Sequence, residues 1–294
     1  IMNQAQPVTH SRTIFLTILA MLAFAANSLL CRQALGQGLI DAASFATLRI
    51  LSGALVLGVF MWPAWRKRGR APLNQWGVIT LFFYMVFFSF AYRSLGAATG
   101  ALILFGAVQL TMFLTALKGG ERFPPLAWMG LALAAGGLVY LVLPGATAPD
   151  LTGALLMTVA GVSWGVYSLL GRHVPDPLEA TANNFLVSVP LALLVSMAFM
   201  GEMQVTRDGA LLAVASGALA SGLGYVVWYA ALRGLTASRA ATVQLSVPAI
   251  AALGGVLFLA EDITARLLVS SAATLGGIAL VLAQRAVKPL SRKI

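Results

Sequence analysis

Ser28-Leu29-Leu30-Cys31-Arg32 returns 140 residues later in the chain as Ser168-Leu169-Leu170-Gly171-Arg172. Matches between charged residues are informative here, because the whole sequence contains only nine Asp and Glu residues. The same gap-free offset pairs further charged residues, namely Arg93 with Arg233 and Glu121 with Glu261. The chain is therefore an internal repeat of two halves.

The composition is that of a membrane protein. Hydrophobic residues make up 60% of the chain and charged residues 10%, and the mean hydropathy is +0.89. Apolar runs close to the thickness of a bilayer core recur along the whole chain. We identify ten such runs, at 12–34, 41–63, 74–94, 97–117, 124–143, 150–171, 179–201, 207–233, 238–260 and 263–286.

The connections between these runs are short, so the sequence predicts an all-α membrane protein with ten transmembrane helices. We expect a single transmembrane domain over 1–294, with repeat one at about 12–143 and repeat two at about 150–286. Residues 287–294 would form a cytoplasmic tail. The start of the chain also resembles a signal peptide, because His10 and Arg12 precede an apolar stretch and Ala23-Phe24-Ala25 resembles a cleavage site. Its counterpart in the sixth helix favours a transmembrane helix instead.

The net charge of +10 is distributed unevenly between the two sides of the predicted bundle. Four arginines fall on one side, namely Arg32, Arg93, Arg207 and Arg266. Fourteen basic residues fall on the other side, namely Arg12, Arg66, Lys67, Arg68, Arg70, Lys118, Arg122, Arg172, Arg233, Arg239, Arg285, Lys288, Arg292 and Lys293. This asymmetry follows the positive-inside rule and predicts that both termini are cytoplasmic. We expect the partner of these charges to be the lipid bilayer of the inner membrane and not nucleic acid.

Each half has five helices, which is an odd number, so the second half enters the membrane from the opposite face. The halves should be related by a pseudo-two-fold axis in the membrane plane, as in many secondary transporters. Glu121 and Glu261 would then lie at opposite sides of the membrane. Such an inverted repeat predicts alternating access to one central site.

Four stretches resemble a known family: Gly120-Glu121-Arg122-Phe123, Ala260-Glu261-Asp262-Ile263, the segment 231–240 and Leu245-Ser246-Val247-Pro248. They resemble the drug/metabolite transporter superfamily, in particular its EamA-type ten-helix exporters, over nearly the whole chain. Two positions depart from that pattern, with Val108 at the equivalent of Pro248 and Ala260 where a glycine is usual. The resemblance implies that helices one to four and six to nine surround a central cavity and that helices five and ten are peripheral.

The segments 24–32 and 45–49 most resemble bacterial exporters of aromatic amino acids. This resemblance implies secondary export of small neutral amino acids and related metabolites. An exporter of drug-like cations or sugar-like metabolites with the same fold is the alternative. A channel and a receptor are further alternatives. A channel would require a continuous polar lining.

Polar side chains inside the predicted spans are candidates for substrate binding: Asn27, Gln109, Gln244 and Arg49. An arginine about 12 Å into its helix is costly unless it faces protein or water. Arg49 could pair with a substrate carboxylate, cap backbone carbonyls of a neighbouring helix or extend to the interface. The amides could equally join helices by hydrogen bonds.

Aromatic residues with a polar atom are further candidates: Tyr84 and Tyr92 on helix three, Trp164 and Tyr167 on helix six, and Tyr225 and Trp228 on helix eight. Packing is the alternative role for each of them. Pro190 and Pro248 lie inside helices seven and nine, where each could be a hinge or a fixed bend.

Several chemistries are not expected from this sequence. All nine acidic residues lie at span ends or in loops, so we expect a uniporter without an obligatory coupling ion. Cys31 is the single cysteine and no nucleotide-binding pattern is present, so we expect no cofactor, no metal site and no enzymatic activity. The small-molecule substrate is the expected partner, and a monomer or a homodimer is compatible with the helix-packing motifs.

Overall fold

The computed structural model describes residues 10–172 and 174–285. The described residues form twelve α-helices: α1 His10–Gly36, α2 Ala42–Arg68, α3 Gln75–Ala91, α4 Ala97–Lys118, α5 Pro125–Val142, α6 Leu151–Gly171, α7 Pro177–Ala198, α8 Arg207–Ala215, α9 Gly224–Leu232, α10 Ala237–Gln244, α11 Ser246–Leu259 and α12 Ala265–Arg285. A π-helical segment, Ser216–Leu223, joins α8 to α9, and Met200–Glu202 is a 3₁₀ turn.

These helices make ten passes in alternating directions. Nine apolar helical stretches within the described residues are long enough to cross a membrane, and α3 is a shorter tenth. The eighth pass consists of α8, the π-helical segment and α9, and the ninth consists of α10 and α11. The predicted all-α membrane fold with two inverted five-helix repeats is confirmed. One difference is that α2 continues to Arg68, five residues beyond the predicted end.

We call the face at which α1 begins the N side and the other face the far side. Short polar side chains start several helices by accepting hydrogen bonds from unpaired backbone N–H groups. Asp41 accepts from Ser44, Asp150 accepts from Gly153 and Thr206 accepts from Gly209. The acidic residues placed at span ends by the sequence therefore include helix caps.

Helix packing follows the repeat. Three passes of the first half pack against their equivalents in the second half: α2 on α7, α4 on α11, and α5 on α12. The α5–α12 contact depends on Gly130, Gly137 and Gly277, where an added Cβ would strike the other helix. Gly136 and Gly276 instead have open space around them, so the close approach is made by neighbouring glycines and not by these two.

The π-helical segment packs against the first half of the chain. A Cβ on Gly217 would collide with the carbonyl oxygen of Arg49 and with the Ser52 hydroxyl. Ser216 donates a hydrogen bond of 2.6 Å to the Oδ1 atom of Asn27 on α1. The π-helical segment thus brings α1, α2 and the eighth pass together.

Contacts between the two halves close the far side. Arg32 on α1 forms an ion pair of 3.1 Å with Glu261, and Glu261 also accepts hydrogen bonds of 3.0 and 2.9 Å from the backbone N–H of Ala97. The loop after α1 pairs with the loop before α8, where Asp41 N–H donates to the Gln204 carbonyl at 2.8 Å.

A further cap ties α6 to the end of α3. Ser94 donates a hydrogen bond of 2.9 Å to Asp150, and the backbone N–H of Gly153 donates one of 2.7 Å. These hydrogen bonds lower the pKa of the Asp150 carboxyl below its usual value, because they stabilise the ionised form.

Candidate substrate cavity

A cavity of about 400 Å³ opens on the N side of the bundle. Its mouth is formed by the end of α6 and the start of α7, at Gly171, Arg172 and Pro177, and by the end of α9. Its deep end is formed by Gln109 on α4, Trp164 on α6 and Trp228 on α9. The first half of the chain contributes only Gln109 and Met112 of α4, and the second half contributes the other described lining residues. Among the described residues, α5 and α12 do not line the cavity, as expected, but neither do α1, α2 and α3, which were expected to surround it.

The deep end is an aromatic surface with hydroxyl groups. The rings of Trp164 and Tyr167 stack with centroids 5.5 Å apart. The Tyr167 hydroxyl lies 2.7 Å from the Thr181 hydroxyl and accepts a hydrogen bond of 3.4 Å from Asn184. Three of the predicted aromatic residues, Trp164, Tyr167 and Trp228, thus lie in the cavity wall.

Two amides complete this wall. Gln109 is buried on α4, and its Nε2 atom has no hydrogen-bond partner among the described residues. Gln244 is the last residue of α10 and also lines the cavity. An unpaired amide donor at a cavity wall is a group that a bound solute can satisfy.

A second layer of aromatic rings lies directly behind the deep end. The Tyr84 ring is 4.9 Å from the Trp164 ring, and the Tyr225 ring stacks on Trp164 at 5.5 Å. Neither residue lines the open cavity in this conformation. Both candidates therefore lie directly behind Trp164, and Tyr225 also stacks on Tyr229, another lining residue, at 6.4 Å.

Arg49 lies in contact with this second layer and is fully buried. Its Nη2 atom donates a hydrogen bond of 3.2 Å to the Tyr84 hydroxyl, and its guanidinium carbon lies 4.6 Å from the Phe88 ring centre. Its Nε and Nη1 atoms have no partner in the described part of the chain. Of the three roles considered for this side chain, carbonyl capping and extension to the interface do not match these contacts.

Asn27 and Tyr92 lie away from the cavity. The Asn27 side chain holds Ser216 of the π-helical segment, and the thiol of Cys31 lies 3.7 Å from the same hydroxyl. Tyr92 is buried at the far-side end of α3, where its hydroxyl donates a hydrogen bond of 3.3 Å to the Ala97 carbonyl. In this conformation both residues join helices and do not reach the open cavity.

The two prolines differ in their effect on the backbone. α7 runs unbroken through Pro190, from Pro177 to Ala198. The ninth pass is interrupted at Leu245, and Pro248 is the third residue of α11. Because proline cannot donate to the preceding turn, the break lies where Pro248 removes a backbone hydrogen bond. Gln244 therefore lies next to the interruption.

Other contributors were not identified from the sequence. Thr181 and the π-helical segment are the clearest cases, together with Glu179, which is buried and accepts a hydrogen bond of 3.1 Å from the Trp65 indole. Glu179 also pairs with Arg68 at 2.9 Å and fixes α2 to α7 at the N side. The sequence feature that could have indicated the π-helical segment is the run of mostly small residues at 216–222. Among the described residues, no cluster of His, Cys, Asp and Glu could hold a metal ion.

Comparison with known proteins identifies the family of this chain. The EamA-like transporter family matches residues 11–143 and again residues 151–283, one match for each half. The chain belongs to this family. The resemblance of the Glu121 and Glu261 segments to EamA-type transporters is therefore confirmed.

Similar proteins come from several organisms. An uncharacterized protein of Pseudomonas aeruginosa is 54% identical over 93% of this chain and 96% of its own length. The threonine/homoserine exporter RhtA of Escherichia coli is 29% identical over 77% of each chain. RhtA of Salmonella typhimurium is 28% identical over 87% of this chain and 88% of its own. A solved crystal structure with 22% identity covers 95% of this chain and all of its own, with a TM-score of 0.65, and shares the fold.

Proposed function

We propose that this family member exports small neutral amino acids, aromatic or other, and related metabolites across the bacterial cytoplasmic membrane. The observation that carries the proposal is a central cavity, open on one side and closed on the other by contacts between the two repeats. Its wall of aromatic rings and amides suits a small amphipathic solute. The similarity to threonine/homoserine exporters makes threonine and homoserine the first substrates to test.

The N side is the cytoplasmic side in this proposal. The basic end of α2, with Arg66, Lys67 and Arg68 in its last turn, lies on that side. The structure would then represent the inward-facing state, ready to take a solute from the cytoplasm. The monomer is the proposed transport unit, because helices of a single chain enclose the cavity.

The inverted repeat predicts which residues close the N side in the outward-facing state. The far side is closed by Arg32, Glu261 and the start of α4, and the offset of 140 residues maps these onto Arg172, Glu121 and the start of α10. Arg172 lines the mouth of the cavity, and neither it nor Glu121 forms an ion pair within the described residues. In the outward-facing state we expect Arg172 to pair with Glu121 and Glu121 to cap α10.

The proposed mode is uniport. Among the described residues, those that line the cavity include Arg172 but no Asp or Glu. Carboxylates in the membrane interior are the usual carriers of a coupling proton or sodium ion. A solute would therefore move down its own gradient.

The test is uptake by proteoliposomes of labelled threonine, homoserine, phenylalanine, tryptophan, glucose and a quaternary ammonium dye, each with and without an imposed pH gradient. We expect saturable movement of amino acids that does not respond to the gradient. Dye or glucose transport without amino acid transport would replace the proposed substrate class. Proton uptake at a fixed ratio to amino acid would replace uniport with coupled transport.

A further inference from the structure

We propose that Arg49 binds the carboxylate of the transported solute. This inference rests on the proposed function and narrows its substrate class to compounds that carry a carboxylate next to a small or aromatic side chain. It concerns a subsite behind Trp164, which is distinct from the wall of the open cavity.

Arg49 lies deep in the bundle, between its two faces. It is seven residues into α2, which begins at Ala42 on the far side, so it lies about 10 Å from that end. The open cavity ends at Trp164, and Trp164 contacts Tyr84, which holds Arg49. Arg49 therefore lies between the deep end of the cavity and the far side, next to the route that we propose for the solute.

Most N–H donors of the Arg49 guanidinium group have no hydrogen-bond partner among the described residues. Arginine presents five N–H donors, and here one hydrogen bond to Tyr84 is formed while Nε and Nη1 have none. The rings of Phe88 and Tyr84, at 4.6 and 5.4 Å from the guanidinium carbon, offset part of the cost of burying the charge. They supply no acceptor for the remaining donors.

Arg49 has no counter-ion among the described residues. The four ion pairs among the described residues involve Arg32, Arg68 and Arg93, and none involves Arg49. All nine acidic residues of the chain lie at helix ends or in connections. A planar carboxylate is the group that matches the arginine fork in two parallel hydrogen bonds. The missing counter-ion is thus supplied by the solute.

The arginine at position 49 has no counterpart in the second repeat. The equivalent position in the second repeat is Val189. The positive charge at residue 49 is therefore present in the first half only. The Tyr84 hydroxyl, which accepts the single hydrogen bond, is the group that the carboxylate would displace or share.

The first arm of the test uses the wild-type protein. Threonine and phenylalanine are compared with threoninol and phenylalaninol, in which a hydroxymethyl group replaces the carboxylate, as competitors of labelled amino acid uptake. We expect each amino alcohol to compete at least about tenfold more weakly, because a charged hydrogen bond contributes about one decade of affinity or more. Equal competition by acid and alcohol would overturn the proposal.

The second arm measures ligand-induced shifts in the unfolding temperature of purified protein. Arg49→Met should lose the shift caused by amino acids, and Arg49→Lys should keep a smaller one, because the charge remains and the fork is lost. Arg66→Gln, an exposed arginine on the same helix, is the control and should respond like the wild type. An unchanged shift in Arg49→Met would overturn the proposal, and if that variant does not fold the first arm decides.

The two proposals fail in different ways. If amino acids do not bind but lactate or benzoate stabilises the wild type and not Arg49→Met, the carboxylate subsite stands and the amino acid proposal is wrong. If only the quaternary ammonium dye or glucose binds, the carboxylate subsite is wrong as well. Stabilisation by amino acids and by their amino alcohols alike would leave export standing and reject the role of Arg49.

Discussion

Arg32 and Glu261 lie 229 positions apart in the sequence, and their side chains form an ion pair of 3.1 Å that joins the two repeats. Glu261 also caps α4, whose first turn has no side-chain cap from its own N-cap residue, Gly96. One carboxylate therefore holds α1, α4 and the end of α11 together on the far side.

We expect Glu261→Gln to shift the population toward the outward-facing state. A partly exposed ion pair contributes up to about 1 kcal/mol, so the ratio of states should change by about fivefold. The measurement is labelling of Ala241→Cys, in the cavity wall, by an impermeant thiol reagent added from the N side, with Cys31 replaced by serine. Labelling should fall. Glu202→Gln is the control, because its pair with Arg93 is more exposed and longer, at 3.5 Å; an equal fall there would contradict the assignment.

Glu121→Gln should have the opposite effect. By the repeat, Glu121 stabilises the outward-facing state, so its loss should raise N-side labelling of Ala241→Cys. The double variant with Glu261→Gln should return close to the wild-type level, because the two effects act on one equilibrium. A shift in the same direction for both single variants would reject the proposed exchange of gates.

Gln109→Leu and Asn27→Leu should separate binding from stability. Gln109 leaves its Nε2 atom unpaired, so leucine should not lower the free energy of unfolding but should weaken transport. Asn27 accepts the hydrogen bond of Ser216, so leucine there should cost about 1–3 kcal/mol. Thermal unfolding and amino acid uptake of both purified variants check this. Equal destabilisation by the two substitutions would remove Gln109 from the list of solute contacts.

The sequence predicts the ten passes and their inverted relation well, because apolar length and repeat spacing depend on local composition. It also places Trp164, Tyr167, Trp228, Gln109 and Gln244 among the candidates, and these line the cavity. Position along a helix does not give the direction of a side chain in a bundle that is apolar on all faces. For this reason the sequence could not show that Asn27 and Tyr92 are buried between helices and do not line the cavity.

The remaining details depend on contacts between the halves. The hydrogen bond of Thr181 to Tyr167 and the π-helical segment beside Asn27 are tertiary features without a periodic signal. The burial of Arg49 is another, since its contacts come from α3 and not from its own helix. Sequence alone left three roles open for this arginine, and its contacts with Tyr84 and Phe88 do not match carbonyl capping or extension to the interface.

Gly217→Ala should destabilise the protein, whereas Gly276→Ala should not. An added Cβ at Gly217 would meet the backbone of Arg49 and the Ser52 hydroxyl, neither of which can move freely, so we expect a loss of about 1–3 kcal/mol. Gly276 is surrounded by open space within α12, where alanine has the higher helix propensity and should stabilise by about 1 kcal/mol or less. Thermal unfolding in detergent distinguishes the two. A loss at Gly276 would indicate a contact with another chain at that face.

Asp150→Ala should destabilise the protein in a pH-dependent way. The pKa of Asp150 in the folded protein lies below its usual value of 3.8, because Gly153 N–H and Ser94 hydroxyl donate to the ionised carboxylate. A lowered folded-state pKa contributes stability that is fully present above the unfolded-state pKa and is lost as pH falls through the folded-state pKa. The difference in unfolding temperature between wild type and variant should therefore be constant from pH 7 to about pH 5 and shrink below about pH 4.

Ser94→Ala should show a smaller effect with the same pH dependence, because it removes one of the two donors and leaves the backbone cap. A difference between wild type and Asp150→Ala that persists unchanged into strong acid would mean that this residue acts by packing and not by its charge.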